Sequence, residues 1–240
     1  MRLIVAGATG FVATEVLRQA INNPAITSLV ALARRETACP DNAGENATKF
    51  TSAVCEDFGN YSEDVKKQLA GANACIWLIA VTPSKLKTMP FDEVRNICLD
   101  YTDYGIATMA PLAAKPFRFM YCSGVNAERD QTKKLWIMHD YGLLRGKAEQ
   151  NVLDFAAASN GAVEASTAKP GMIAGPNTPW TRAIAKTIIS TVVGLPRVEV
   201  HEIAAAMISG VVGGFESDTY LNEDLVRVGR KVLESEKSSA

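Results

Sequence analysis

Three polar residues in the middle of the chain could carry out proton chemistry on a small substrate. Ser123 follows a short apolar run, and Tyr141 and Arg145 stand four residues apart in a helical pattern. Residues i and i+4 of a helix share one face, so the Arg145 guanidinium would lie near the Tyr141 phenol. A nearby cation lowers a tyrosine pKa. A tyrosine can then donate a proton to a developing alkoxide while a serine hydroxyl holds the same oxygen.

The first thirteen residues predict a nucleotide-binding turn. The apolar run 3–6 leads directly into Gly7-Ala8-Thr9-Gly10-Phe11-Val12-Ala13 and then into a helical pattern. Gly7 allows a sharp turn, Gly10 leaves space for a phosphate, and the helix N-terminus presents free N–H groups. A tight turn without a ligand is the alternative. We expect five residues of the turn to contact a dinucleotide: Gly7, Thr9, Gly10, Phe11 and Val12.

The ends of the next two predicted strands, 27–33 and 49–55, favour NADP. Arg34 follows the first of these strands and lies 24 residues after Gly10. An arginine at this position accommodates a 2′-phosphate, whereas an acidic residue favours NAD. Asp57 follows the other strand and is a candidate for contact with the adenine amino group. The alternatives are that Arg34 only solvates a strand end and that Asp57 caps a helix or is simply solvated.

Composition bounds the class of protein. The chain has 240 residues, 48% of them hydrophobic and 21% charged, with a net charge of −1. That balance predicts no general attraction to nucleic acid or to an anionic membrane. Five cysteines without a C-x-x-C pair predict a reducing compartment, the cytoplasm, and no metal site. We also expect no signal peptide and no membrane span.

The alternation of apolar runs with helical patterns predicts an α/β fold. Such alternation is typical of a Rossmann-type, doubly wound parallel sheet with helices on both faces. We expect a single NAD(P)-binding domain over 1–240, in which residues 174–215 contribute a small C-terminal cover on the substrate side. A fourth strand at 74–81 would bring Ala80 and Val81 to the carboxyl edge of the sheet, where ligands bind.

Four motifs together resemble the short-chain dehydrogenase/reductase superfamily, in particular its small atypical members of the epimerase-like or NmrA-like type. They are the N-terminal glycine turn, the Tyr121–Gly124 segment, the Tyr141–Glu149 segment and the Lys169–Pro176 segment. The resemblance implies a serine and tyrosine pair at Ser123 and Tyr141. It also implies ribose and adenine contacts at Ala80, Val81 and Asp57, and a nicotinamide-side loop containing Pro170, Gly171 and Ile173.

One position departs from the family pattern Tyr-x-x-x-Lys. Arg145 stands where the lysine is expected; it keeps the positive charge and can bind ribose hydroxyls, but it does not release a proton. His139 is an alternative proton source.

Three hypotheses therefore remain open. The chain is an NADP-dependent oxidoreductase acting on a small, apolar or aromatic carbonyl or alcohol, a redox-neutral dehydratase, isomerase or epimerase, or a non-catalytic NADP(H) sensor. Its expected partner is a small molecule, and a homodimer is possible.

Overall fold

The computed structural model describes residues 1–175 and 195–239. Nine strands and seven α-helices are found in these two ranges. The strands are β1 (Arg2–Ala6), β2 (Ser28–Ala33), β3 (Phe50–Val54), β4 (Ala74–Trp77), β5 (Phe117–Cys122), β6 (Val163–Lys169), β7 (Met172–Ala174), β8 (Arg197–Glu199) and β9 (Thr219–Leu221). The helices are α1 (Phe11–Ala20), α2 (Glu63–Leu69), α3 (Phe91–Arg95), α4 (Tyr101–Met109), α5 (His139–Ala158), α6 (Val200–Gly213) and α7 (Asn222–Ser239).

Seven of the strands form one parallel sheet in the order β3-β2-β1-β4-β5-β6-β9. The chain starts in the middle of the sheet, builds outward to β3, then returns across β1 to β4 and continues to the other edge. The strand order therefore reverses between β1 and β4, which is where a ligand cleft opens in a doubly wound sheet. The predicted fold class is confirmed.

Helices cover both faces of the sheet because its strands are apolar on both sides. Ile4 and Ala6 of β1 face the core shared with α2, α4 and α5. Leu3 and Val5, which point the other way, face the core shared with α1, α6 and α7. Alternate side chains of a strand point to opposite faces, so one short strand contributes to both cores.

Two predicted elements have different bounds in the structure. The strand predicted at 74–81 ends at Trp77, and the segment 78–81 leaves the sheet. The long helix predicted from Phe91 is interrupted by a π-helical turn, Asn96–Asp100, between α3 and α4. Both departures lie at the carboxyl edge of the sheet, and π-turns are frequent at functional sites.

The segment 174–215, predicted to cover the substrate, includes helix α6 and a stretch that the structure does not describe. Residues 176–194 lie outside the described residues. Helix α6, which follows them, packs into the core under the sheet, with Ile203 and Met207 fully buried among β1 and α1 residues. Its apolar residues are explained by this packing, because an all-round apolar helix buries itself against several neighbours. Helix α6 therefore packs as part of the core, and its role as a substrate cover stays a prediction.

Candidate functional site

The predicted glycine turn forms a compact cradle at the end of β1. Gly7 has a φ of +82°, in the left-handed region, and a Cβ there would lie 3.0 Å from the carbonyl carbon of Leu78. Gly10 has ordinary extended geometry, but a Cβ would lie 3.2 Å from the Gly7 carbonyl oxygen. Among the described residues no side chain caps α1, and no acidic residue lies in its first turn. The positive end of the helix dipole is thus open to an anion.

The two residues predicted for the adenosine side lie in one neighbourhood. Arg34 directly follows β2, and Asp57 lies three residues after β3; both are exposed. The Asp57 carboxylate accepts a hydrogen bond from the Gly59 N–H (2.9 Å). Both residues act on the phenol of Tyr101, the first residue of α4. Burial and then the Asp57 carboxylate raise the Tyr101 pKa, while the charge of Arg34 opposes that rise.

Tyr141 reaches from α5 to the segment that follows β4. Its hydroxyl donates a hydrogen bond to the Val81 carbonyl oxygen at 2.7 Å. The Val81 N–H in turn donates to the Cys98 thiol, in the π-turn, at 3.3 Å. The π-turn, the end of β4 and α5 therefore meet around Val81, beside the point where the sheet reverses its order. Of the two predicted contacts there, Ala80 is exposed and Val81 is buried.

Arg145 lies one helical turn after Tyr141, on the same side of α5. Its guanidinium is almost completely buried and donates to the Cys122 carbonyl oxygen at 2.5 Å. It also stacks on the Tyr121 ring, with Cζ 4.9 Å from the ring centroid, a cation–π contact. Arg145 thus fixes the end of β5 immediately before Ser123. The Ser123 hydroxyl is buried and has no hydrogen-bond partner among the described residues.

The electrostatics of Tyr141 combine two opposing causes. Burial raises the pKa of the phenol, because the ionised form is poorly solvated, and the charge of Arg145 lowers it. The net direction is upward. His139, the alternative proton source, is less well placed. Its side chain is exposed and accepts a hydrogen bond from the Leu135 N–H at 3.1 Å, within the loop that precedes α5.

The predicted nicotinamide-side loop is held by backbone contacts between neighbouring strands. The Pro170 carbonyl accepts from the Val125 N–H at 2.9 Å, which joins this loop to the segment after Ser123. A Cβ on Gly171 would lie 2.0 Å from the Pro196 carbonyl oxygen, so only glycine fits there. Ile173 lies in β7, which pairs with β8.

The glycine turn and this loop approach each other at the cleft. A Cβ on Gly175, just after β7, would lie 2.7 Å from Cζ of Phe11. Phe11 is half exposed, Thr9 is exposed and Val12 is partly buried. The structure thus brings the predicted phosphate and nicotinamide regions to the same edge of the sheet.

Several residues that support the site were not predicted. The Asn222 carboxamide accepts from the Gly171 N–H (2.9 Å) and donates to the Arg197 carbonyl (3.1 Å), which fixes the nicotinamide-side loop. Glu149 is fully buried and pairs with Arg129 (2.8 Å) and Lys169 (3.1 Å). A glutamate within the apolar stripe of a helix is a signal that could have been found in the sequence, because buried carboxylates need partners.

Within the described ranges, no cluster of His, Cys, Asp and Glu side chains has the makings of a metal site. The helices of those ranges also include none that is both long and apolar enough to cross a membrane. All five cysteines are free thiols.

Comparison of the sequence with known proteins gives one partial relative. No protein-family model matches the chain. A mitochondrial protein of Candida albicans, FMP52, is 30% identical over 115 residues, which are 48% of this chain and 45% of that protein. The alignment thus spans less than half of either protein.

Comparison of the fold gives many similar structures. MoeE5, solved with UDP-glucuronic acid and NAD, has a TM-score of 0.68 at 16% identity and covers 92% of this chain and 75% of its own. DesIV, a dTDP-glucose 4,6-dehydratase of Streptomyces venezuelae solved with NAD, also scores 0.68, at 14% identity, with coverage of 98% and 81%. At these identities the likeness shows the fold alone, and at that level the chain is similar to proteins solved with NAD, as the predicted resemblance to epimerase-like proteins implies.

Proposed function

We propose that this chain is a nicotinamide-dinucleotide-dependent enzyme whose proton-donating pair is Tyr141 and Ser123. The observation that carries the proposal is the position of the Tyr141 hydroxyl, 2.7 Å from the Val81 carbonyl oxygen at the reversal of the sheet. The Ser123 hydroxyl ends the neighbouring strand and is buried without a partner among the described residues. Two hydroxyls at this edge suit a substrate oxygen that gains or loses a proton.

The residues of the turn fit a dinucleotide. The spaces at Gly7 and Gly10 would be filled by a Cβ, and the α1 N-terminus is uncapped. Gly7, Thr9, Gly10, Phe11 and Val12 would hold the pyrophosphate, while Arg34, Asp57, Ala80 and Val81 would face the adenosine. Pro170, Gly171, Ile173 and Arg145 would lie on the nicotinamide side. Once bound, the nicotinamide would supply hydride transfer.

The protein's own residues would then act on the proton. Tyr141 would release the Val81 carbonyl and donate to the substrate oxygen, which Ser123 would hold. Arg145 would keep its charge throughout, since a guanidinium is not deprotonated in proteins. Its charge would stabilise the phenolate left on Tyr141. In this proposal the first candidate reaction is NADP-dependent reduction of a small, apolar or aromatic carbonyl, or the reverse oxidation.

A redox-neutral reaction is the second candidate. Its support is that MoeE5 and DesIV, the latter named as a dehydratase, were both solved with NAD on the same fold. An epimerase or dehydratase of this kind would use the same Tyr141 and Ser123 hydroxyls. A non-catalytic sensor is less well supported, because it leaves both hydroxyls without a role.

The cofactor preference is tested by titrating NADPH and NADH against the purified protein and following nucleotide fluorescence. We expect tighter binding of NADPH. Arg34→Ala should weaken NADPH at least about tenfold, the size of one charge-assisted contact, and NADH much less. Arg35→Ala, the neighbouring exposed arginine, is the matched control and should change neither. Equal losses for the two nucleotides in Arg34→Ala would contradict the NADP assignment.

The type of reaction is tested by following nicotinamide absorbance and product formation together. Net oxidation of NADPH with a panel of carbonyls supports an oxidoreductase. Turnover of a nucleotide sugar without net absorbance change supports the second candidate. In either case Tyr141→Phe should reduce turnover by a factor of about 10² to 10⁴ while nucleotide binding persists.

Location and assembly remain proposals of the same kind. A reducing compartment, the cytoplasm, fits the five free thiols, whereas FMP52 carries the description mitochondrial. The partner we propose is a small-molecule substrate. We also propose a homodimer, which sedimentation velocity of the purified protein would detect as a species of twice the chain mass.

A further inference from the structure

Three fully buried polar groups gather behind Tyr141 on the inner side of α5. Arg145 and Glu149 are four residues apart and therefore share one face of the helix. The Arg145 guanidinium stacks on Tyr121 of β5. Arg145 is 3% exposed, and Glu149 and Tyr121 are fully buried.

Each of these side chains has one polar atom left without a hydrogen-bond partner among the described residues. These atoms are Arg145 Nη1, Glu149 Oε1 and the Tyr121 hydroxyl. Their chemistry is complementary, since Nη1 can only donate, Oε1 of a carboxylate can only accept, and a phenol can do either. A buried polar atom without a partner is costly, and ordered water commonly satisfies such groups.

The buried positive charge of Arg145 also requires a negatively charged partner. Arg145 is a buried cation that forms no ion pair within 4.0 Å with any described carboxylate. Glu149 uses its other oxygen, Oε2, for both Arg129 and Lys169. An uncompensated charge in the protein interior is strongly destabilising. Glu149 lies one turn along the same helix face, and its Oε1 is a carboxylate oxygen that can still accept a hydrogen bond.

We propose that Glu149 is a positioning residue of the candidate site and balances Arg145 through an ordered water that Tyr121 also holds. The water accepts from Arg145 Nη1 and donates to Glu149 Oε1. Glu149 thereby limits the positive charge that Arg145 exerts on Tyr141, and through Lys169 it anchors the loop after Ser123, because Lys169 also donates to the Ala127 carbonyl at 2.6 Å. The proposal rests on the proposed function only in taking Tyr141 as the proton donor.

The first test measures the Tyr141 pKa from the phenolate absorbance of the protein minus that of Tyr141→Phe. Among the described residues, the titratable groups that interact with Tyr141 include Arg145, Cys98, Cys122 and Tyr121. Glu149→Gln keeps the shape but removes the negative charge, so Arg145 acts on Tyr141 uncompensated. We expect the measured pKa to fall by about 1. Glu164→Gln, which removes a carboxylate paired with Arg118, is the matched control and should leave it unchanged.

A rise or no change of the Tyr141 pKa in Glu149→Gln overturns the positioning role. This measurement uses no nucleotide, so its failure is distinguishable from failure of the proposed function. The latter would appear as loss of NADPH and NADH binding by the unmodified protein.

The second test covers the case in which Glu149→Gln does not fold. Tyr121→Phe is nearly isosteric and removes only the hydroxyl. If that hydroxyl binds the shared water, the unfolding equilibrium constant should rise about fivefold. Tyr61→Phe removes another buried hydroxyl without a described partner and is the control, expected to be neutral or stabilising. A Tyr121→Phe protein that is as stable as Tyr61→Phe, or more so, overturns the shared water.

A crystal structure of the unmodified protein at a resolution that places waters gives the direct check. Density within hydrogen-bond distance of Arg145 Nη1, Glu149 Oε1 and the Tyr121 hydroxyl is expected. A direct Arg145–Glu149 pair with no water between them would overturn it.

Discussion

At the scale of single residues, the proposed chemistry depends on Arg145, an arginine where the family that the sequence resembles has a lysine. A lysine at this position would carry a point charge on a flexible chain, whereas the planar guanidinium of Arg145 is held by contacts with two partners. It donates to the Cys122 carbonyl and stacks on Tyr121. The residue therefore combines an electrostatic effect on Tyr141 with a structural hold on the strand that ends at Ser123.

Arg145→Met should raise the Tyr141 pKa further. Burial already raises it, and Arg145 is the cause that opposes that rise. Without the guanidinium, its contribution to lowering the Tyr141 pKa is lost. A reaction rate that depends on the ionised phenol should therefore increase only at a higher pH. The shift is read from the phenolate absorbance described above. Arg118→Met, at the opposite end of β5, is the control, and a pKa that falls in Arg145→Met would contradict the assignment.

At the scale of elements, the loop after Ser123 lies directly on α5 because two glycines of that helix leave room for it. A Cβ on Gly142 would lie 2.8 Å from the Asn126 carbonyl oxygen. A Cβ on Gly146 would lie only 1.7 Å from the Glu128 carbonyl oxygen. The Glu128 N–H donates to the Gly142 carbonyl at 3.0 Å. Glycine is a poor helix former, so its presence at both positions is explained by backbone contact, which holds the loop after Ser123 against the helix that carries Tyr141.

Gly146→Ala should destabilise the protein although alanine favours helices. The gain in helix propensity is about 1 kcal/mol, while the clash with a backbone oxygen costs about 1–3 kcal/mol or more. Urea unfolding should show a net loss, and Tyr141-dependent turnover should fall as the loop is displaced. The same substitution at Gly213, where a Cβ meets nothing within 4 Å, should be neutral or slightly stabilising. A Gly146→Ala protein more stable than the parent would show that the loop does not rest on α5.

At the scale of the whole molecule, both faces of the sheet contribute to the candidate site. The face covered by α2, α4 and α5 carries Tyr121, Tyr141 and the buried ion cluster of Glu149. The face covered by α1, α6 and α7 carries a large apolar cluster, together with a Glu202–Arg230 ion pair at 2.6 Å between α6 and α7. Both faces therefore support the candidate site at the carboxyl edge, α5 with Tyr141 from one face and α1 and Asn222 of α7 from the other.

Ile203→Ala tests whether α6 is core or substrate cover. Ile203 is fully buried in the α1–α6 core, so its truncation should cost about 2–5 kcal/mol in the free energy of unfolding. Nucleotide affinity of the folded variant should stay within about twofold, since surface and core changes away from a site do not alter its contacts. Ile137→Ala, at a half-exposed isoleucine, should change stability by less than about 0.5 kcal/mol. A small stability change with a large loss of substrate affinity would restore α6 as a cover.

The sequence by itself determined the parallel sheet, the glycine turn and the shared helix face of Tyr141 and Arg145. These are local properties: apolar periodicity, a glycine that must adopt a positive φ, and the 3.6-residue repeat. The strand ends at Arg34 and Asp57 were also located to within a few residues, because each closes an apolar run. None of these inferences needed a contact between distant parts of the chain.

Only the tertiary structure decided which distant groups meet. The Tyr141 hydroxyl bonds to Val81, sixty positions away in sequence, and Asn222 fixes Gly171. Glu149 could be seen as an odd residue in an apolar stripe, but its partners Arg129 and Lys169 come from other elements. The packing of helix α6 against α1 and the sheet is also a tertiary property, because an apolar helix has the same sequence pattern whether it covers a substrate or a sheet. Periodicity reports that a face is buried, whereas the identity of what buries it depends on packing across the whole sheet.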